Sequence, residues 1–149
     1  RLDVKSMFLK VDLREEIDAT GIIWCDKFHI QRTFRNILNN AIRHTPGGGT
    51  IYISTQLGEN QIAVRFVDTG PGIGQSDIDH IFDRYYRGVN EPNGGGSQGL
   101  GLSIAREIVQ AHRGSISAGN APGKGAQIQI ILPLWRESPP ENGSLELAP

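Results

Sequence analysis

Thr50 to Asp68 reads TIYISTQLGENQIAVRFVD, two runs in which apolar and polar side chains alternate, joined by Gly58-Glu59-Asn60. Ile51, Ile53 and Leu57 share one face of the first run, and Ile62, Val64 and Phe66 share one face of the second. This period of two predicts a β-hairpin with strands over Thr50 to Leu57 and Gln61 to Asp68. Upstream the period changes. Ile30, Phe34, Ile37, Leu38, Ala41 and Ile42 recur at helical spacing behind Asp26, a suitable N-cap, so a helix is expected from Phe28 to His44, ended by Thr45-Pro46-Gly47-Gly48-Gly49. Phe8 to Leu13 and Gly21 to Cys25 are short apolar runs read as strands. Ser76-Asp77-Ile78-Asp79 opens like a capping box onto a short amphipathic helix carrying Ile78, Ile81, Phe82 and Tyr85. Leu102 to His112 is a second long helix with Gly114 as its stop, and Ser115 to Ala118 with Ala126 to Leu132 make a closing hairpin. Strands that pair mainly as hairpins, beside helices with one apolar stripe each, predict an α+β two-layer sandwich rather than a doubly wound parallel sheet.

The 149 residues leave room for one buried core. Fifteen Lys and Arg against sixteen Asp and Glu give a formal charge of -1, with no global basic field, so neither a nucleic-acid partner nor contact with a membrane surface is expected. No apolar stretch reaches the length of a membrane span, and no signal-peptide pattern opens the chain. The one cysteine, Cys25, sits in an apolar run and reads as a buried thiol; the expected compartment is the cytoplasm. Val89 to Gln98 is rich in Gly, Asn and Ser and is expected to be a flexible loop, and the segment from Glu137 a disordered tail. A chain that opens on Arg1 rather than Met is read as a piece of something longer.

Asn36 and Asn40 lie four apart on the first long helix, so their amides project from one face about 6 Å apart along the axis. A solvated helix face is the ordinary reading of such a pair, yet asparagine is a poor helix former, and a neutral oxygen donor suits a hard cation such as Mg²⁺ that takes its remaining ligands from water and phosphate. Asp68-Thr69-Gly70-Pro71-Gly72-Ile73-Gly74 follows a strand directly. A carboxylate emerging there needs a donor, and the exocyclic amine of an adenine is one that a glycine-rich backbone would let approach. Gly99-Leu100-Gly101-Leu102 opens the last helix, whose first amides can cradle phosphate. Neither a dinucleotide fingerprint nor a Walker A loop fits: Ile104 stands where the former needs a small residue, and the only Gly-Lys pair, Gly123-Lys124, precedes Gly125 rather than Ser or Thr. Phe82-Asp83-Arg84-Tyr85-Tyr86-Arg87 adjoins the flexible loop; the ordinary reading puts both arginines in solvent, and for Arg87 a terminal phosphate is an equal alternative.

These stretches together resemble a known set. Asn36-Ile-Leu-Asn-Asn40-Ala, Asp68-Thr-Gly-Pro-Gly-Ile, Ile81-Phe-Asp-Arg-Tyr-Tyr and Gly99-Leu-Gly-Leu are similar to the N, G1, F and G2 boxes of the catalytic ATP-binding domain of bacterial sensor histidine kinases, over about Phe8 to Leu134. That domain belongs to the superfamily shared with gyrase, mismatch-repair and heat-shock chaperone ATPases. The resemblance implies a Bergerat-type fold, a mixed, mainly antiparallel sheet with helices on one face, and ATP with Mg²⁺ as cofactors. It implies that Asn40 holds the metal, that Asn36 and Arg43 approach the phosphates, and that His44 packs near the base. Asp68 would accept from the adenine amine beside Gly70, Gly72 and Ile73, and the backbone from Gly99 through Leu100 and Gly101 to Leu102 would hold phosphate. Residues 83 to 98 would form an ATP lid that carries Tyr85 and Arg87, with Arg84 and Asn36 as the candidate catalytic residues. The catalytic domain would then span residues 1 to 136, with 137 to 149 as tail.

The activity so implied is transfer of the γ-phosphoryl group to a histidine on a separate helical phosphoacceptor and dimerisation domain of the same parent protein, with a response-regulator receiver domain as the next partner. Anchoring of the parent in the inner membrane is left open. Four histidines, His29, His44, His80 and His112, are followed by Ile, Thr, Ile and Arg, not by the acidic residue the family places after its acceptor. His44 replaces a common Tyr and Arg43 a common Lys. Where the hydrolysing sister ATPases carry a water-activating Glu, Asn36 offers an amide that cannot take a proton, which argues against autonomous hydrolysis. A related serine kinase and a non-catalytic ATP-sensing module remain the alternatives.

Overall fold

The computed structural model describes residues 8–12, 23, 25–88, 99–123 and 125–134. Among the described residues five strands and two helices follow one another as β1 (Phe8–Asp12), α1 (Lys27–His44), β2 (Thr50–Leu57), β3 (Gln61–Asp68), α2 (Gly101–Ala111), β4 (Ser115–Asn120) and β5 (Ala126–Pro133). One sheet contains all five strands in the order β1-β2-β3-β5-β4. β1 lies parallel to β2, and every other neighbouring pair is antiparallel.

The predicted hairpin is β2 and β3, registered from Ile51 opposite Asp68 to Leu57 opposite Ile62 and closed by the Gly58 amide donating to the Gln61 carbonyl at 2.8 Å. Alternation does the sorting: Ile62, Val64 and Phe66 of β3 and Ile128, Ile130 and Leu132 of β5 are buried on one face and meet Ile37 of α1 with Ala105 and Val109 of α2. Phe34 adds an edge-on contact to Phe66, with ring centroids 5.6 Å apart. Both helices therefore cover the same face, which makes an α+β two-layer sandwich. The opposite face is more polar, and on it Arg65 donates from Nε and Nη2 to Gln129 across the β3–β5 pair.

Asp26 caps α1 as the sequence predicts, its Oδ1 accepting from the His29 amide at 3.0 Å. At the far end the Thr45 amide and hydroxyl both donate to the Ala41 carbonyl, at 2.9 and 2.6 Å. Thr33 is fully buried within this helix, and its hydroxyl has no partner among the described residues. The two helices run antiparallel and are tied twice. The Asp26 amide donates to His112 Nε2 at 3.0 Å, while Asn36 Nδ2 donates to the Gly101 carbonyl at 3.1 Å. His112 is itself buried, with Nδ1 2.7 Å from the Ile108 carbonyl, so both ring nitrogens are engaged.

Several sequence expectations need correction. Residues 76–85 form successive turns, not a helix: the His80 and Asp83 amides reach three residues back while that of Ile81 reaches four, and Tyr85 adopts a left-handed φ of 65°. Fewer than three helical turns repay their nucleation poorly, and Ser76, which would cap such a helix, instead donates its hydroxyl to Asp77 Oδ1 at 3.3 Å, an oxygen that also accepts from the Tyr86 hydroxyl. Tyr85 is consequently 70% exposed instead of lying on an apolar stripe. Gly114 does not stop α2 by a left-handed φ. That conformation falls to Arg113 (φ 57°), and the Arg113 and Gly114 amides donate to Gln110 and Val109 at 2.9 Å each in a Schellman arrangement. Gly114 is needed because a Cβ there would strike the Ile131 carbonyl and Leu132. Of the strand expected over Gly21 to Cys25, Ile23 and Cys25 are irregular and the rest lies outside the described residues, as do Leu13, the loop from Val89 to Gln98 and the tail from Glu137. Among the described residues no helix is long and apolar enough to cross a membrane.

Candidate functional site

One face of α1 and the start of α2 form two walls of a cavity of about 440 Å³; the loop after β3 and the segment through Tyr86 and Gly88 complete it. α1 contributes Asn36, Asn39, Asn40, Arg43 and His44, a ladder of amide and basic groups down one side of the helix. α2 contributes its first turn. Gly99, Leu100, Gly101 and Leu102 all line the cavity, among the described residues no side chain caps the helix at Leu100, and no acidic residue occupies the first turn. The opening amides of that helix are thus available to an anion, and the dipole favours one.

Asp68 ends β3 at the cavity wall, 6% exposed. Its two oxygens are in different situations. Oδ1 accepts from the Gly70 amide at 2.8 Å and the Ala126 amide at 3.1 Å, whereas Oδ2 has no hydrogen-bond partner among the described residues. The carboxylate is therefore fixed in rotation by main-chain donors, with one acceptor left for whatever enters. The loop that follows is shaped by glycine. A Cβ at Gly70 would come within 2.6 Å of the His44 carbonyl, and Gly72 has a φ of 81°. Its far end is held by Asn120 at the end of β4: Oδ1 accepts from the Ile73 amide at 2.7 Å and Nδ2 donates to the Ile73 carbonyl at 2.8 Å. Among the described residues no cluster of three or more His, Cys, Asp or Glu could hold a metal ion. A cation here would rely on amide oxygens such as that of Asn40 together with ligands brought by an anion.

Sequence-derived candidates divide into two groups. Asn36, Asn40, Arg43, His44, Asp68, Gly72, Ile73, Gly99, Leu100, Gly101 and Leu102 are brought together around the cavity. Gly70, Arg84, Tyr85 and Arg87 are not among its lining residues. Gly70 is buried behind Asp68 as a main-chain donor. Arg84, put forward as catalytic, is drawn away by α2: Nε and Nη2 reach Glu107 Oε1 at 3.0 and 2.6 Å, and this carboxylate holds the guanidinium above its ordinary pKa. Tyr85 and Arg87 face solvent.

Asp77 and Tyr86 were not singled out by their sequence, and both line the cavity. The Tyr86 hydroxyl donates to Asp77 Oδ1 at 2.7 Å, and this bond, followed by burial, pushes the phenol above its ordinary value. In the sequence Asp77 stands only inside the Ser76-to-Asp79 capping pattern and Tyr86 only inside the stretch Phe82 to Arg87, and nothing local brings the two together. Ala126 also lines the cavity, and Gly125 before it is required by a close approach, since a Cβ there would overlap the Asp68 carbonyl. Nothing local to Pro122-Gly123-Lys124-Gly125 announces that contact.

Residues 25–136 match the family described as histidine kinase-, DNA gyrase B- and HSP90-like ATPases. The chain is 33% identical over 138 residues to the signal transduction histidine-protein kinase BaeS of Escherichia coli, covering 92% of this chain and 29% of that protein. It is 42% identical over 133 residues to the signal transduction histidine-protein kinase AfsQ2 of Streptomyces coelicolor, covering 89% and 24%. It thus spans less than a third of these relatives. Among solved structures, a mycobacterial sensor histidine kinase, MprB, superposes with a TM-score of 0.76 at 25% identity, over 88% of this chain and 86% of that one. The fold, the cavity between its helices and these likenesses agree, and the chain belongs to the histidine kinase-, DNA gyrase B- and HSP90-like ATPase family.

Proposed function

We propose that this chain is the catalytic, ATP-binding portion of a sensor histidine kinase and that it transfers the γ-phosphoryl group of ATP to a histidine on a separate helical domain. The observation that carries the reading is the divided carboxylate of Asp68. One oxygen is locked by the Gly70 and Ala126 amides, and the other is open at a wall that faces an amide-rich helix and an uncapped helix N-terminus. A purine amine suits the first feature and a phosphate chain the second. Gly72 and Ile73 form the floor beside the base, His44 its edge, and Arg43, Asn36 and the amides of Gly101 and Leu102 the phosphate end.

Asn40, with Asn36 and Asn39 nearby, is the donor set that fits Mg²⁺, which when bound neutralises phosphate charge. The protein's own contribution is positioning and electrostatics. Transfer forms a bond from an imidazole nitrogen of the acceptor to the γ-phosphorus as the bridging P–O bond breaks, the electron pair leaving with ADP and the imidazole giving up its N–H proton. Asn36 in place of a carboxylate leaves no base for water at that position, which favours a kinase over a hydrolase. On this reading residues 1 to 136 are the catalytic domain, 83 to 98 the lid and 137 to 149 a tail; a receiver domain takes the phosphoryl group onward, and the domain works in the cytoplasm.

The test supplies a helical domain that carries an acceptor histidine, with saturating Mg²⁺-ATP. Acid-labile, alkali-stable phosphate on that domain is expected. Nucleotide binding without any such product would favour a module that senses ATP, and steady release of phosphate by the isolated chain would favour an autonomous ATPase.

A further inference from the structure

We propose that Asn120, outside every motif that marks the nucleotide site, is a positioning residue for nucleotide binding: its side chain holds the loop beneath the base in its binding geometry. The inference rests on the reading of this cavity as a nucleotide site. Ile73 lines that cavity in a segment with glycines at 70, 72 and 74, where the main chain has little to restrain it. Asn120 supplies the restraint. Its amide oxygen accepts from the Ile73 amide at 2.7 Å and its amide nitrogen donates to the Ile73 carbonyl at 2.8 Å, across 47 residues of sequence. Both polar ends of one side chain are thus used on one residue, in the way a neighbouring strand would use its main chain.

The turn behind Asn120 fastens the other end of the same loop. The Ala121 amide donates to the Gly125 carbonyl at 2.8 Å, Gly125 lies against the Asp68 carbonyl too closely to admit a Cβ, and the Ala126 amide donates to Asp68 Oδ1 at 3.1 Å. Asn120, Gly125 and Ala126 therefore grip the loop at Ile73 and at Asp68. Asn120 itself is exposed and does not line the cavity, so its effect on a ligand passes through Ile73. A loop already held in place loses less conformational freedom when a ligand arrives, and that difference is read as affinity.

Asn120→Ala and the isosteric Asn120→Asp are compared with the unaltered chain by calorimetric titration with Mg²⁺-ADP, alongside thermal unfolding. Asn120→Ala should weaken ADP about tenfold with an unfolding midpoint within a degree or two of the parent, because the bonds removed are exposed. Asn120→Asp should lose as much at pH 7.5, since its second oxygen faces the Ile73 carbonyl acceptor to acceptor. As pH falls to about 4, the ordinary range of an exposed aspartate, its affinity relative to the parent should begin to recover, because a protonated carboxyl can donate again; Asn120→Ala should show no recovery. Parent binding with Asn120→Ala affinity within twofold overturns the role of Asn120 and leaves the nucleotide site standing. Loss of affinity that tracks loss of stability, or a pH-independent Asn120→Asp deficit, overturns it equally. A parent chain that binds no ADP overturns the nucleotide reading and this inference together.

Discussion

Replacing Asp68 by Asn and by Ala separates the carboxylate's two duties. In Asp68→Asn the new amide oxygen can keep both main-chain donors, Gly70 at 2.8 Å and Ala126 at 3.1 Å, while its NH₂ takes the place of the open oxygen Oδ2. Folding should therefore change by less than about 1 kcal/mol, since the buried donors stay satisfied. A base amine now meets a donor instead of a charged acceptor. A hydrogen bond to a charged group contributes about 1.5–3 kcal/mol, so adenine nucleotides should bind about tenfold to a hundredfold more weakly. Asp68→Ala strands both donors instead. At about 1–3 kcal/mol for each unsatisfied group, it should lower stability by about 2–6 kcal/mol in addition to abolishing binding. Calorimetric titration with ADP and denaturant unfolding of the three chains give the required numbers. Asp68→Asn affinity within twofold of the parent would remove Asp68 from base recognition, and equal destabilisation by Asn and Ala would show that the charge, not the acceptor geometry, holds the loop.

Asn40→Ala should weaken ATP about tenfold in the presence of Mg²⁺ and leave binding in excess chelator unchanged; equal losses in the two titrations would deny Asn40 a metal role. Thr33→Val replaces a fully buried hydroxyl that has no partner among the described residues by a methyl of similar shape. It should stabilise the fold by about 1 kcal/mol and raise the melting temperature by a few degrees, and an unchanged or lower midpoint would mean that the hydroxyl is satisfied after all. Tyr86 should ionise above the ordinary tyrosine range because its hydroxyl donates to Asp77. With the folded value above the unfolded one, the stability from this bond is full below about pH 10 and fades as pH rises through the folded value. In an ultraviolet absorbance titration of the three tyrosines, Tyr86→Phe should delete the step at highest pH; loss of an earlier step instead would refute the assignment.

What the sequence could express was whatever depends on neighbours along the chain. The alternation of Thr50 to Asp68 is the pleat itself, and Asp26 before a run at helical spacing is a cap with its helix, so β2, β3 and α1 have nearly the predicted bounds. Asn36, Asn40 and Asp68 could be singled out because each is an unusual residue for its local setting. The failures are contacts between distant parts. The spacing of Ile78, Ile81 and Phe82 fits a helix, but Asp77 is engaged by Tyr86 and the segment stays in turns. The pairing of Arg84 with Glu107 of α2 is likewise a contact that no spacing along the chain announces. Gly125 and Asn120 act on Asp68 and Ile73 through tertiary contacts, and no local pattern carries that information. Arg113 takes a left-handed conformation that residue preference would assign to the glycine beside it, because that glycine is needed against β5.

The double fastening of α1 to α2 has a consequence for how the site responds to its occupant. One tie joins Asp26 to His112, the other Asn36 to Gly101, so the antiparallel pair behaves like a frame bolted at two corners. The separation of its rails is set within the polypeptide, not by the length of the anion between them. Shortening that anion by one phosphate should then leave the rails in place, and any signal that reports which nucleotide is bound has to originate elsewhere, on the side of the cavity that neither bolt restrains.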